Sequence, residues 1–374
     1  MPAVSQVTDF SAYVAALGSA RAERIEIAPG EISLNQAPRF VLGPVPEQLG
    51  LAMLGELSIP PISCYKLHNI RVGLDGILID GNTALSNNSF NVPDYHARTL
   101  IKRLEQRAQS SVRHISGSVV HLCGPGFHIY GHWLVDLLPR LFVLEQLGEK
   151  LEHLRFLISE PVASYVEALL CTFGISPDQL VRFDPRIEVV EVETLFIPTN
   201  LRHGMRLHPL MNEARTHLLQ RAATSFPGTV EPLTGYERLF VSRQNSDQSR
   251  AAENRRQIEA IASARGFQIV RPETMSFADQ IRLFRSVRQV AGEYGSGLHG
   301  VLFAPPRIVT CALRGGGIHP GFIQTSIGNV CGQATGYLLG TNSLEAVDQT
   351  FEVSELHWNV ALQCMQIIAD ETLR

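Results

Sequence analysis

Gly131-His132-Trp133-Leu134-Val135-Asp136-Leu137-Leu138-Pro139-Arg140 is the stretch on which the fold turns. Before it, Ser118-Val119-Val120-His121-Leu122 reads as a strand and Gly124-Pro125-Gly126 as a loop. After it, the helical pattern runs to about Gly148, and Arg155-Phe156-Leu157-Ile158 is a second strand. Strand, helix, strand at this spacing points to parallel βαβ units. On the helix, His132 and Asp136 stand at i and i+4 and share a face. An imidazole and a carboxylate so placed can hold and deprotonate a hydroxyl. A plain polar flank on a Leu/Trp core helix is the competing interpretation.

Outward from this stretch the alternation continues. Residues 162–173 form an amphipathic helix closed by Gly174, and Leu180-Val181-Arg182-Phe183 and Thr194-Leu195-Phe196-Ile197-Pro198 are strands. Residues 223–235 hold Pro227, Gly228, Pro232 and Gly235 and mark an inter-domain linker. A second run follows: strand Arg238-Leu239-Phe240-Val241-Ser242, helix 253–265, strand 267–270, a helix from Ser276, strand 287–291, a short helix 296–303 and strand 307–311. Residues 354–373 form a last helix, expected to pack back on the first domain. Residues 1–110 are β-rich and irregular. There Arg24-Ile25-Glu26-Ile27-Ala28 alternates like a half-buried strand, and two short apolar strands flank Asp75-Gly76 in a hairpin and meander.

The 374 residues exceed one average domain, and 45% hydrophobic content is enough for full cores. A net charge of -4 excludes a general nucleic-acid binder but leaves room for a local basic pocket for a phosphorylated small molecule. The six cysteines are scattered, with no CxxC pair and no His/Cys metal spacing, as expected of reduced, buried thiols in a cytoplasmic chain. The first residues show no secretory leader pattern, and no apolar run approaches the roughly 20 residues of a membrane span. Peripheral membrane contact and a homo-oligomer are both compatible with this composition.

A second polar cluster lies at strand ends in the C-terminal half. Ser242, Arg243, Asn245, Ser246, Arg250 and Asn254 follow one strand; Tyr294-Gly295-Ser296-Gly297-Leu298-His299 follow another. Ligands of open α/β sheets bind outside the carboxyl ends of the strands. A Gly-x-Gly turn opening a helix offers backbone N–H groups to an anion, and Arg243 and Arg250 can add bidentate contacts. A tight turn beside solvated arginines is the bland alternative. The spacing lacks the third glycine and the downstream acid of a dinucleotide fingerprint, which disfavours a nicotinamide oxidoreductase. No Asp-x-Asp triplet occurs, so leaving-group charge is expected to fall on arginines and backbone dipoles.

Taken in order, His132-Trp133-x-x-Asp136-x-Leu138-Pro139-Arg140, then Phe240-Val241-Ser242-Arg243 with Arg250 and Asn254, then Gln280, Gly295-Ser296-Gly297-Leu298 and Phe303-Ala304-x-Pro306 resemble family 61 glycosyltransferases. That family includes bacterial capsular-polysaccharide proteins and eukaryotic xylosyl- and N-acetylglucosaminyltransferases. The resemblance covers about residues 60 to 320. It implies an α/β, GT-B-like architecture, two Rossmann-like domains facing across a cleft, here with a β-rich N-terminal segment over 1–110. Residues 111–225 would then be the acceptor domain, 226–350 the nucleotide-sugar domain and 351–374 the closing helix. It further implies an inverting transferase with a nucleotide-sugar donor, usually UDP-linked, a carbohydrate or glycoconjugate acceptor and no obligatory metal or cofactor.

Under that resemblance Asp136 is the first choice of general base, with His132 orienting or replacing it. Ser242, Arg243, Arg250, Asn254, Tyr294, Gly295, Ser296, Gly297, Leu298 and His299 would hold the donor. Two departures stand out. Where family members carry His-Gly-Ala-Gly-Leu-x-Asn, this chain has Tyr294 and Gly300 at the ends, and the Asn-Glu pair reads Asn254-Arg255. They motivate the alternative of a catalytically inactive binding or scaffold relative.

Overall fold

The computed structural model describes residues 4–372 apart from residues 5, 19, 35–36, 46, 48–54, 91, 106–110, 229–230, 244–250, 316–321 and 342–349. The chain forms two compact units and passes between them twice before settling in the second. Residues 1–31 and 59–204 make the first, residues 32–58 and 205–374 the second.

The first unit holds strands β1 (Gln6–Asp9), β2 (Ala22–Ala28), β3 (Ile62–Val72), β4 (Leu78–Asp80), β5 (Thr83–Ser86), β6 (Ser111–His121), β7 (Phe156–Ser159), β8 (Leu180–Phe183) and β9 (Glu188–Pro198). They form one nine-stranded sheet in the order β1-β5-β4-β3-β9-β6-β7-β8, with β2 also paired to β3. β3, β4 and β5 are an antiparallel meander, as expected. β6, β7 and β8 are parallel, as the βαβ alternation predicts. β9 joins the two halves, antiparallel to β3 and parallel to β6. The β-rich segment and the βαβ run therefore share a sheet. Helix α1 (Phe10–Leu17) starts where Asp9 accepts from the Ala12 amide at 3.0 Å, an N-cap that satisfies one orphan donor. It delivers Phe10 edge-on to Tyr65, 4.7 Å between ring centroids, in a core with Leu67, Val119, Leu157 and Leu195. Helices α2 (Asp94–Glu105), α3 (Pro139–Glu145) and α4 (Tyr165–Thr172) complete the described helices of eight, twelve or seven residues here.

The second unit is built on a parallel sheet. Strands β10 (Arg238–Val241), β11 (Gln268–Val270), β12 (Gln289–Glu293), β13 (Val309–Gly315) and β14 (Ala334–Gly340) lie in the order β11-β10-β12-β13-β14. This is a doubly wound order, 2-1-3-4-5. The order of its strands reverses between β10 and β12, the position outside whose carboxyl ends open α/β sheets bind ligands. Leu239-Phe240-Val241, Val290-Ala291 and Cys311-Ala312-Leu313 are buried without alternation, as strands covered on both faces require. The unit's described α-helices are α5 (Met211–Ser225), α6 (Arg255–Ala264), α7 (Phe277–Arg285), α8 (Ile323–Cys331) and α9 (Glu355–Thr372). As predicted, Ser276 caps α7 by accepting from the Asp279 amide at 3.1 Å. Residues Ser296–Phe303 form the expected short helix, of the tighter 3-10 kind.

Three expectations change. The boundary between units falls at Gly204 and Met205, ahead of the Pro/Gly stretch at 223–235. The reason is α5, whose Met211, Ala214 and Leu218 are fully buried and hold that segment in the second unit. The strand Phe40–Leu42, from the β-rich N-terminal segment, pairs in parallel with β14 and extends the second sheet. Finally, α9 does not return to the first unit. Its Trp358, Leu362 and Met365 join Phe240, Cys311 and Leu338 in one core, and the Trp358 Nε1 donates to the Ile258 carbonyl at 3.1 Å. Among the described residues, no helix is long and apolar enough to cross a membrane.

Candidate functional site

In the first unit, the candidate chemistry gathers where β6 and β9 end. One helical turn (Tyr130–His132) runs into a five-residue π-helical turn (Trp133–Leu137) and then into α3. Pro139 explains the widening. It has no N–H for the Val135 carbonyl, and its ring presses on the preceding turn. The Leu138 amide instead reaches back to the Trp133 carbonyl at 2.9 Å. The Trp133 indole N–H donates to the Phe127 carbonyl at 2.7 Å and pins the turn to the Gly/Pro loop.

The expected i, i+4 pair is made: His132 Nδ1 lies 2.7 Å from Asp136 Oδ2. Asp136 is 3% exposed. Its other partner was not anticipated. Arg202 approaches as a fork, Nε to Oδ1 at 2.6 Å and Nη2 to Oδ2 at 2.7 Å. Burial alone would raise the Asp136 carboxyl pKa; the Arg202 charge and the bonds from His132 and Arg202 outweigh it and hold the group well below the usual carboxylate range. An ionised carboxylate only accepts, so His132 Nδ1 carries a proton, and Nε2 is left as the ring nitrogen that can accept one. Gly126, at φ +76°, lies flat against this ring: a Cβ there would stand 2.6 Å from Cδ2 and 2.8 Å from Nε2. The ring is 31% exposed, which leaves it open to a reactant.

Behind the pair, Arg140 is 1% exposed. Its Nε donates to Asn200 Oδ1 at 2.9 Å, and Nη1 donates to the carbonyls of Cys123 at 3.0 Å and His121 at 3.2 Å. It staples the carboxyl ends of β6 and β9 together. His121 Nε2 donates to the Gly76 carbonyl at 2.9 Å. Burial, with the Arg140 charge adding to it, pushes the His121 imidazole down to about 3. This histidine is a structural one. His208 likewise serves locally, its Nδ1 accepting from the Leu210 amide at 3.1 Å.

In the second unit, the carboxyl ends of the neighbouring strands β10 and β12 bring together Ser242, Arg243, Tyr294, Gly295, Ser296 and Gly297. Arg243 Nη1 donates to the Tyr294 carbonyl at 3.1 Å. Its guanidinium occupies the space above Gly295, where a Cβ would fall 1.9 Å from Nη1. The glycine of the turn is thus explained by the arginine that lies on it. Arg250, with Asn245 and Ser246, falls outside the described residues. Leu298 is wholly buried and belongs to the core, while His299 is half-buried at the start of the 3-10 helix. Tyr294 is 8% exposed and lies 5.4 Å from the Arg314 guanidinium, ring centroid to Cζ.

One expected donor residue, Asn254, is engaged elsewhere, and so is its neighbour Arg255. Asn254 Oδ1 accepts from the Val353 amide at 3.1 Å and its Nδ2 donates to the Val353 carbonyl at 2.8 Å, a backbone clamp. Arg255, standing where the family motif has Glu, pairs with Glu293: Nε to Oε2 at 2.8 Å and Nη2 to Oε1 at 3.0 Å. Glu293, 1% exposed, also accepts from the amides of Arg243 at 3.1 Å and Ala252 at 2.7 Å. One buried carboxylate therefore fixes both ends of the segment that connects β10 to α6. Its position at the end of β12 was the available signal.

Residues 130–312 match the family model described as Glycosyltransferase 61. The matched span begins at the turn that carries His132 and ends within β13, so it contains both polar clusters. No curated protein matches the chain. This segment, which carries the His132–Asp136 pair and the Arg243–Gly295 turn, is the part of the chain similar to glycosyltransferase family 61.

Proposed function

We propose that this glycosyltransferase moves a sugar from a nucleotide-sugar, UDP-linked in the simplest case, to a hydroxyl of a carbohydrate or glycoconjugate acceptor during polysaccharide or glycan synthesis. The displacement is single and inverting. The acceptor oxygen bonds to the anomeric carbon as the bond to the diphosphate breaks, and the acceptor proton passes to the enzyme. The GT-B arrangement implied by the family resemblance is part of the proposal.

The observation that carries it is the His132–Asp136–Arg202 constellation. It favours His132 Nε2 as the proton acceptor. Asp136 is too well satisfied to be the base and instead fixes the imidazole and stabilises the imidazolium that forms. In the second unit, Ser242, Arg243 and the Gly295-Ser296-Gly297 turn, with Arg250, are assigned to the donor, and their dipoles and charge to the leaving diphosphate. No metal ion takes part.

A panel of nucleotide-sugars screened by thermal shift identifies the donor, since a ligand of the folded state raises its melting point. With that donor, His132→Ala is expected to lower kcat by about 10²- to 10⁴-fold, the usual worth of a general base, with nucleotide affinity within a few-fold of wild type. Turnover close to wild type in that variant would remove His132 from the reaction. Chelation with EDTA is expected to leave turnover unchanged; its loss, restored by a divalent ion, would overturn the metal-independent step.

The binding-only reading draws on Asn254 and Arg255, both occupied in structural bonds. Nucleotide binding without transfer to any acceptor would favour it.

A further inference from the structure

The sheet of the second unit continues beyond β12 and the glycine turn. Next along the sheet, β13 ends at Arg314 and Gly315, and α8 begins at Ile323. The Arg314 guanidinium lies 4.5 Å from the ring centroid of Phe322, the residue that precedes α8, and 5.4 Å from that of Tyr294. The Tyr337 hydroxyl closes the first turn: it accepts from the Thr325 amide at 3.1 Å and donates to the Phe322 carbonyl at 3.2 Å. Arg206 is held beside the same turn, because the Leu207 amide donates to Ser326 Oγ at 2.8 Å. Both Arg206 and Arg314 are within electrostatic reach of the Tyr337 hydroxyl.

Two features there are incomplete. Arg206 is 4% exposed; its Nη2 donates to the Gly55 carbonyl at 2.6 Å, but its Nε has no hydrogen-bond partner. Among the described residues no carboxylate pairs with it. Gln324, the second residue of α8, is 1% exposed, and neither its Nε2 nor its Oε1 is hydrogen-bonded. A buried amide bonded at neither end and a buried guanidinium with an unbonded N–H are costly, and natural proteins keep few of them. At the N-terminus of a nine-residue helix, with two arginines at hand, an anion is the partner that accepts from both the Arg206 Nε–H and the Gln324 amide N–H.

We infer that the first turn of α8, with Arg206, Gln324 and Arg314, is an anion subsite for the diphosphate of a nucleoside diphosphate. This assignment rests on the transferase reading for the identity of the ligand, and on the unsatisfied groups alone for its charge. It extends phosphate recognition from the glycine turn to a residue, Arg206, that lies far from the sequence motifs.

The test is calorimetric titration of the full chain with inorganic pyrophosphate and, separately, with UDP. Gln324→Met keeps the volume and removes the unsatisfied amide. It is expected to weaken pyrophosphate and UDP by about tenfold or more, the worth of one hydrogen bond to a charged group, while leaving the ligand-free Tm equal to or above wild type. A merely structural glutamine would show the reverse: lower Tm, unchanged affinity. Arg206→Lys keeps the charge and guards against misfolding; it is expected to weaken both ligands by about tenfold, because the planar fork is lost. Wild-type UDP binding that neither variant alters would overturn the subsite and leave the transferase reading intact. Pyrophosphate binding weakened by the variants, with no nucleotide bound, would keep the subsite and end the transferase reading. If the wild-type chain binds neither probe, the subsite is wrong.

Discussion

His121 and Asp136 meet acid differently, and the difference is measurable. His121 stays neutral in the folded protein, its imidazole pushed down to about 3, whereas in the unfolded chain it takes up a proton near pH 6.5. Between those values the unfolded state binds the extra proton, so this residue draws stability down as pH falls from about 6.5. Asp136 works lower. Its folded carboxyl is held below the usual range, so its contribution is complete above about pH 4, the unfolded value, and is lost as pH falls further. Melting curves from pH 7 to 3 separate them. His121→Gln is expected to flatten the fall in Tm between pH 6.5 and 4. The Tm deficit of Asp136→Asn is expected to hold constant down to about pH 5 and to narrow below pH 4. A deficit that widens in acid would contradict the ion pair with Arg202.

At the scale of elements, the clamp between Asn254 and the backbone of Val353 ties the start of α6 to the approach of α9. Asn254→Ala leaves a buried amide and carbonyl without partners and is expected to destabilise by about 1–3 kcal/mol, seen as a lower denaturation midpoint. Nucleotide affinity is expected to be unchanged. A loss of affinity at constant stability would return Asn254 to the donor site. The sequence anticipated Asn254 as a ligand contact because the motif is a string, and a string does not record which way a side chain turns. His132 and Asp136 were legible because their geometry is local, four residues apart on one helix. Arg202 was not: its partnership depends on β9 lying beside β6, a pairing no short window contains. The alternating strands and helices of the C-terminal half were legible from buried apolar runs and caps. The π-helical turn had its cause in plain view at Pro139, but a regular helix satisfies the same periodicity.

For the molecule as a whole, the decisive fact is that the first 58 residues are shared out. β1 and β2 belong to the first sheet, whereas Phe40–Leu42 belongs to the second. A chain starting at residue 59 therefore exposes the edge of β3 in one unit and the edge of β14 in the other. Both units are expected to lose stability, read as faster amide exchange in β3 and in β14. Protection kept at β14 would show that Phe40–Leu42 is dispensable. Those three residues pair with Gly336, Tyr337 and Leu338, and the Phe40 ring fills the space that a side chain at Gly336 would need. During synthesis, that strand leaves the ribosome early and waits until almost the entire polypeptide has been translated before its neighbour exists. Until then it is an unmatched edge, open to pairing with other nascent chains.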